Sequence, residues 1–418
     1  MKGEGLLPAP RTQNPIANTQ YPIPNTVHPV LSRQDTKPMH ALEGIRALDL
    51  SRLFPGPYCS MILADMGADV LRIEDQRFQG EGPGMPTVMR NKRHMTLNLK
   101  HPQGLEIFYR MARGADVVLE GFRPGVADRL GIGYEQMKKQ NEKLIYCSVT
   151  GYGQDGPYKN MVGHDINYLS FGGVLGLTGE AGRKPVIPPI QVADMAAGGM
   201  YAAIGILTAL LVRQKTGKGQ YIDISMMDGI VAMLPFPASL LWGTQKAPRR
   251  GDSLLSGRFP CYNVYETRDG EYLSIGALEP RFWMELCRKL GREDYIPLQY
   301  DEGEKRGEIF LFLEKTFKGK TREEWLEELK DLDVCIGKVL HLEETFKDPQ
   351  VVQRKMVTEF EDPKKGKMKL LSSPIKMSAT PPDIRRGPAE FGEHTEEVLK
   401  ELGFKEEEIR QMKKEGVV

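Results

Sequence analysis

Two short segments of this sequence place a titratable side chain among glycines and other small residues. The first, residues 163–168, contains His164, and the second, residues 192–199, contains Asp194. Glycine lets a ligand approach the backbone closely, and imidazole and carboxylate groups commonly move protons near neutral pH. We therefore expect His164 and Asp194 to face each other across a substrate that gives up or accepts a proton.

Simpler interpretations exist for the carboxylates. Asp194 stands at the start of a long, apolar, alanine-rich helix predicted over residues 195–213, where a carboxylate can serve as the N-cap. Glu279 stands just before another predicted helix start, where a negative charge favours the helix dipole. The sequence alone leaves a structural and a catalytic interpretation open for both residues.

Strand and helix patterns alternate from residue 44 onward. Apolar periodicity predicts helices over residues 58–66 and 104–114, and strands over residues 45–50, 68–74, 95–99, 116–120, 144–149 and 221–224. A strand, a helix and a strand at this spacing form a βαβ unit, which belongs to a parallel sheet. We therefore predict an open α/β sheet whose ligand contacts lie in loops at the carboxyl ends of its strands.

Cations cluster near the ends of these predicted strands. They are Arg72, Arg90, Lys92, Arg93, Arg123 and Arg129. Such side chains, arginine above all, bind phosphate oxygens well, so their convergence on one sheet edge indicates a phosphate-bearing ligand. The alternative is that they are ordinary solvated surface cations.

A glycine motif after one strand points away from dinucleotide binding. Residues 151–156 match G-x-G-x-x-G, but that fingerprint must open a helix. Pro157 and polar residues follow instead, which is typical of a loop. The sequence therefore argues against a nicotinamide or flavin site.

The overall composition is that of an ordinary soluble protein. The 418 residues carry a formal charge of +1 from 57 basic and 56 acidic side chains, which gives no support to binding of nucleic acid or a membrane surface. The five cysteines have no C-x-x-C spacing, so neither a disulfide framework nor a zinc site is expected, and the cytoplasm is the predicted compartment. We find no apolar run of roughly 20 residues and no signal-peptide pattern.

Changes in composition suggest five segments. Residues 1–41 are rich in proline and polar residues and predict an extended or disordered arm. We predict a large domain over 42–230, a linker over 231–260, a small domain over 261–370 that opens with a hairpin, and a return to the large domain over 371–418.

Taken together, the motifs resemble the class III CoA-transferase family (CaiB/BaiF type), and within it the α-methylacyl-CoA racemase branch. The resemblance runs from Leu42 to about Leu402. It rests on residues 55–57, 64–70, 91–93, 97–100, 122–125, 163–168, 216–220, 276–280 and 392–395.

This resemblance implies a Rossmann-like large CoA-binding domain plus a smaller α+β domain, with two chains interlocked as a homodimer. It implies His164 and Asp194 as the catalytic bases and Glu279 as an acid that supports His164. Coenzyme A would enter only as part of an acyl-CoA substrate, and no metal is expected. The implied CoA contacts are Arg72, Leu97, Asn98, Leu99, Lys100, Arg123, Arg129, Gly163, Asp165, Ile166, Asn167 and Tyr168.

The chain departs from the racemase pattern in two places, which leaves the acyl group open. Asp75 stands where racemases often have an arginine that contacts CoA, although Arg77 is nearby. Residues 257–262 (Gly-Arg-Phe-Pro-Cys-Tyr) replace a Gly-Gly-Ala-Pro-Phe-Tyr-like stretch near the racemase active site.

Two reactions fit the resemblance. In racemisation of a 2-methylacyl-CoA, His164 and Asp194 exchange the α-proton through an enolate, with N–H groups at the start of the helix after Asp194 expected to bind the enolate oxygen. In CoA transfer, Asp194 attacks the thioester and forms an acyl anhydride and then an enzyme-bound CoA thioester. The motif around His164 and the presence of Glu279 favour racemisation, and the intact acid-base pair argues against a non-catalytic acyl-CoA-binding protein.

Overall fold

A six-stranded parallel sheet forms the centre of the protein, in a computed structural model that describes residues 39–80 and 85–418. The sheet has the strand order β3-β2-β1-β4-β5-β6. Its strands are β1 (Arg46–Asp49), β2 (Asp69–Glu74), β3 (Lys92–Thr96), β4 (Val117–Glu120), β5 (Ile145–Thr150) and β6 (Tyr221–Ser225). The predicted arm, 1–41, lies outside the described residues except for its last three.

Helices cover both faces of this sheet. On one face, α1 and α7 pack in a cluster that includes Cys59, Leu63 and Ile206. On the other face, α2, α15 and α16 pack around Phe108 and Leu399. The helices before the small sheet are α1 (Pro55–Asp65), α2 (Pro102–Arg113), α3 (Val126–Arg129), α4 (Tyr134–Gln140), α5 (Asp165–Phe171), α6 (Val174–Leu177), α7 (Tyr201–Thr216), α8 (Met226–Ala232) and α9 (Pro235–Thr244).

The rest of the chain forms a three-stranded antiparallel sheet, a separate hairpin and further helices, of which the last two, α15 and α16, pack against the large sheet. In chain order these are β7 (Tyr262–Glu266), β8 (Tyr272–Gly276), α10 (Pro280–Lys289), α11 (Glu304–Phe317), α12 (Arg322–Leu329), β9 (Ile336–Lys338), α13 (Leu342–Thr345), α14 (Pro349–Gln353), β10 (Val357–Asp362), β11 (Gly366–Leu371), α15 (Thr395–Glu401) and α16 (Glu406–Lys414). The central parallel sheet confirms the predicted α/β class, while the domain boundaries stay a prediction.

The chain's last residues return to the large sheet. The Thr96 N–H donates to the Thr395 hydroxyl at 3.0 Å, and the Asn98 N–H donates to the Val417 carbonyl at 2.8 Å. These bonds attach α15 and the C-terminus to the edge strand β3. Coverage of that edge is expected to protect it from pairing with other chains.

Two local predictions, the bounds of β3 and of α1, were wrong. Strand β3 covers Lys92–Thr96 rather than 95–99, because its polar residues are buried with partners: the Lys92 ammonium donates to the Pro57 carbonyl at 2.7 Å. Helix α1 begins at Pro55 rather than at residue 58, with proline in the first turn where no N–H is needed. The predicted linker 231–260 contains the apolar helix α9.

The expectation that no apolar run is long enough to span a bilayer was also wrong. Residues Ala193–Thr216 form one continuous helix of 24 residues that is sufficiently long and apolar, the single unbroken one of its kind in the described part of the chain. One side of it, including Ile206 and Leu210, packs in the core beneath the sheet. The other side is exposed, with Leu211 at 61% of its full accessible surface.

Candidate active site

His164 stands at the N-cap of α5, on the loop that follows β5. Its backbone N–H donates to the Asn167 side-chain oxygen at 3.0 Å, so Asn167 closes the first turn of the helix. The His164 residue itself is exposed. The local structure therefore presents the imidazole from a fixed backbone position toward solvent.

Asp194 lies in the first turn of the long helix, whose first eight residues, Ala193–Met200, are wound as a π-helix. Such wider turns are rare and occur frequently at functional sites. Burial and, to a smaller extent, the nearby charge of Asp165 together raise the pKa of the Asp194 carboxyl to about 7. Asp194 can therefore give or take a proton near neutral pH.

A hydrogen bond joins these two segments. The Asp194 N–H donates to the Asp165 carboxylate at 3.0 Å, and Asp165 directly follows His164. Val192 occupies the N-cap position of the long helix, so Asp194 is not the cap. Asp165, on the neighbouring helix, accepts the Asp194 N–H as a capping side chain would. The geometry brings the His164 and Asp194 segments together, and the expectation that the two side chains face each other across a substrate stays a prediction.

Two of the N–H groups near the start of this helix are already engaged. The Asp194 N–H binds Asp165, and the Met195 N–H donates to the Gln191 carbonyl at 2.9 Å. These two donors cannot bind an enolate oxygen without breaking those bonds, and the expected oxyanion site at the start of this helix stays a prediction.

Small residues let neighbouring helices hold the π-helical turn tightly. A methyl group added at Gly198 would lie 2.9 Å from Cβ of Pro55 on α1, and one at Gly229 on α8 would lie 2.6 Å from Cβ of Ala197. Both distances are shorter than ordinary van der Waals contact. The glycines therefore allow the close packing that fixes the position of Asp194.

Tyr168 and Gly163 complete the support around His164. The Tyr168 hydroxyl donates to the Gly163 carbonyl at 2.6 Å. Burial raises the pKa of Tyr168, with a contribution from Asp194. Ile166 is exposed on the same helix. Of the residues predicted to contact CoA here, Gly163, Asn167 and Tyr168 shape the loop through these bonds.

Glu279 lies in a different part of the chain. It occupies the N-cap position of α10 but makes no side-chain capping bond, and it is exposed. Its charge contributes to raising the pKa of Cys335 and of Tyr300. It forms no ion pair with His164 within residues 39–80 and 85–418, and its support of His164 stays a prediction.

A cleft opens at the carboxyl ends of β1 to β4, where the strand order reverses and α/β sheets usually bind ligands. It is lined by Leu50, Arg52, Ile73, Glu74, Asp75, Arg77, Phe78, Leu97, Leu99, Lys100, Phe122 and Leu130. The guanidinium carbons of Arg52 and Arg77 lie 3.5 Å and 4.5 Å from the centre of the Phe78 ring. The cleft thus combines apolar walls, an aromatic face and several cations.

The comparisons with known proteins agree with this architecture. The CoA-transferase family III model matches residues 42–395. The chain belongs to CoA-transferase family III. A human alpha-methylacyl-CoA racemase is 38% identical over 390 residues, which cover 90% of this chain and 97% of the human protein. A human succinyl-CoA:glutarate CoA-transferase is 31% identical over 405 residues, covering 92% of each chain. The crystal structure of a CAIB/BAIF family protein from Brucella suis has a TM-score of 0.76 at 29% identity, covering 87% of this chain and 99% of that one.

In this family III chain, the predicted CoA contacts outside residues 163–168 fall into three groups. Leu97, Leu99 and Lys100 line the cleft, whereas Arg123 and Arg129 are exposed on the loop and helix after β4. Arg72 instead donates to Glu74 at 2.8 Å, and the Asn98 amide donates to the Gly416 carbonyl at 3.1 Å.

Sequence reasoning missed Arg52 and Phe78 as cleft residues. Asp75, which departs from the racemase pattern, caps the short turn Gln76–Phe78 and accepts the Arg77 N–H at 3.0 Å. The one available signal was the position of Arg52 directly after β1.

Proposed function

We propose that this chain is an acyl-CoA enzyme that racemises 2-methylacyl-CoA thioesters by two-base transfer of the α-proton. The observation that carries the proposal is the hydrogen bond that joins the helical turn of Asp194 to the segment of His164, at a position where burial raises the pKa of Asp194 to about 7. The name of the relative that is 38% identical supports the same reaction.

The mechanism follows from the weak acidity of a proton beside a thioester. His164 removes the proton from one face of the α-carbon, and protonated Asp194 returns one to the other face through an enolate. Exchange of their protonation states runs the reaction in the opposite direction. Each such group contributes roughly 10² to 10⁴-fold, and binding of the CoA portion holds the acyl carbon between them.

The cleft at the sheet edge is the proposed site of the CoA nucleotide. Arg52, Arg77 and Lys100 supply positive charge for phosphate groups, and Phe78 offers a face for a base. Coenzyme A is then bound only as part of the substrate, and no resident cofactor or metal takes part. The five unpaired cysteine thiols support a reducing compartment such as the cytoplasm.

A second copy of the chain would complete the site. Exposed apolar side chains on the long helix and α9, including Ile204 at 56% and Trp242 at 73%, support an interface between copies. Glu279 is exposed and remote from His164 in sequence and contacts, which supports its arrival from the other copy of an interlocked homodimer.

The test is incubation of the enzyme in D₂O with a panel of 2-methylacyl-CoA thioesters, with and without free carboxylic acids, followed by mass spectrometry. The proposal predicts deuterium at the α-carbon without any added acid. A new acyl-CoA that forms only with a free acid, and no exchange, would replace racemisation with CoA transfer.

CoA transfer is the second candidate because a relative that is 31% identical is a CoA-transferase. Asp194 would attack the thioester carbonyl and release CoA thiolate, which attacks the aspartyl carbonyl to form an enzyme-bound thioester and free acid. The acceptor acid then displaces the thiolate to form a second mixed anhydride, and the thiolate attacks the acyl carbon of the acceptor, which releases the new acyl-CoA and leaves one oxygen of the acceptor on Asp194. Transfer of ¹⁸O from a labelled acceptor acid into the peptide that contains Asp194 would establish this route.

A further inference from the structure

The carboxylate of Asp165 has a structural use that its predicted role as a CoA contact does not include. It accepts the Asp194 N–H at 3.0 Å, and it also interacts with the backbone of Ala193. Asp165 is half-buried, and burial raises its pKa while these backbone contacts lower it. A negative charge at the first turn of a helix is favourable.

The surroundings of Asp194 come from several elements. Asp165 and Tyr168 of α5 interact with its carboxyl. Helices α8 and α1, which pack against the same turn, carry the titratable residues Asp228 and Tyr58, and Tyr58 lies beside Gly199. Among these groups, Asp165 is the charged neighbour that raises the pKa of the Asp194 carboxyl, after burial itself.

We propose that Asp165 is a positioning residue whose carboxylate holds the first turn of the Asp194 helix against the helix that begins at His164. The proposal rests on the proposed function, since it concerns how the two bases are placed and charged. One side chain then performs two tasks. Its oxygen fixes the distance between the two base-bearing segments, and its charge favours the protonated form of Asp194.

The two tasks are separable by substitution. Asp165→Asn keeps an oxygen that accepts the Asp194 N–H but removes the charge, whereas Asp165→Ala removes both. Asp223→Asn is a matched control, because the Asp223 carboxylate also accepts a backbone N–H, that of Gln154 at 3.1 Å, and does not contribute to the pKa of Asp194.

The charge is tested by infrared titration of protein labelled with ¹³C-aspartate, with the Asp194 signal identified by difference from Asp194→Asn. In Asp165→Asn the midpoint of Asp194 is expected to move to lower pH by about one unit, and in Asp223→Asn to stay in place. An unchanged midpoint in Asp165→Asn, or an equal movement in the control, would overturn the proposal.

The bond is tested by hydrogen exchange of the Asp194 amide. We expect this amide to exchange faster in Asp165→Ala than in the wild type, and at close to the wild-type rate in Asp165→Asn. Equal exchange rates in the wild type and both variants would contradict the positioning role. Neither readout requires turnover. Failure of α-proton exchange in D₂O would therefore remove the proposed function and leave these two results interpretable.

Discussion

The cleft at the edge of the large sheet and the region of His164 and Asp194 are both candidate contacts for one substrate, but they are built differently. In and beside the cleft, side chains hold one another: Arg52 and Arg77 stack on Phe78, and His94 and Arg72 bind Glu74 at 2.9 Å and 2.8 Å. Around His164, backbone bonds and glycine packing fix the segments, while the imidazole stays exposed.

This difference indicates that the cleft serves binding and the region of His164 and Asp194 serves the chemical step. The cleft is organised within one chain, so binding of the CoA end costs little reordering. The candidate catalytic side chains have fixed backbone positions but do not all contact one another, since Glu279 and His164 form no ion pair within the described residues. Substrate and a second copy of the chain would supply what the single chain lacks.

The largest expected effect comes from the candidate bases. His164→Ala and Asp194→Asn should each lower racemisation by at least about 10²-fold, because each removes one proton carrier. Binding of CoA, measured by calorimetry, should change little, since the cleft is separate. His341→Ala replaces an exposed histidine at the start of α13; it is the control and should keep full activity.

Complementation tests the second copy. His164→Ala and Glu279→Gln chains are each expected to form inactive homodimers. When they are co-expressed, mixed dimers with one intact site should restore roughly a quarter of wild-type activity if Glu279 acts across the interface. Mixtures as inactive as the separate variants would place Glu279 in the site of its own chain.

Removal of the aromatic face of the cleft should affect binding more than chemistry. Phe78→Leu should raise KM for the acyl-CoA about tenfold, because base stacking and the two guanidinium contacts are lost. The kcat should stay close to the wild-type value. Phe404→Leu is the matched control, since the Phe404 ring lies 4.7 Å from the Arg110 guanidinium and outside the cleft. An equal rise in KM in both variants would remove Phe78 from the binding site.

The smallest effect concerns stability. Glu120 accepts the Phe122 N–H at 2.6 Å beneath the cleft, and burial raises its pKa from 4.5 to about 7. The folded state therefore binds more protons than the unfolded state between these values, so stability falls as pH rises from about 4.5 to 7, by up to about 3 kcal/mol.

Urea unfolding at several pH values measures this slope. Glu120→Gln should flatten it, whereas Glu135→Gln, which replaces an exposed carboxylate on α4, should leave it unchanged. A slope that survives in Glu120→Gln would show that another group causes it.

Much of the fold was predictable because its signals are local. The alternation of strands and helices gave the parallel sheet, whereas β3 was misplaced because Lys92 and His94 look solvent-exposed in sequence. Their partners, the Pro57 carbonyl and Glu74, lie far away along the chain. Sequence patterns do not report such distant pairings.

The candidate site shows the same limit. The segments of His164 and Asp194 were recognisable from residue type and neighbouring glycines. Three contacts depend on proximity in the folded chain and have no signal in the sequence. They are the bond from the Asp194 N–H to Asp165, the pairing of Arg72 with Glu74 and the stacking of Arg52 on Phe78. Family resemblance named Asp165 and Arg72 but not what their side chains bind.

The most direct test of the account follows each epimer of a 2-methylacyl-CoA separately in D₂O without an acceptor acid. The wild-type enzyme should introduce deuterium at the α-carbon of both epimers and interconvert them. His164→Ala should fail to exchange the epimer whose proton faces His164, and Asp194→Asn should fail with the other. Wild-type rates of exchange for both epimers in both variants would contradict the two-base mechanism.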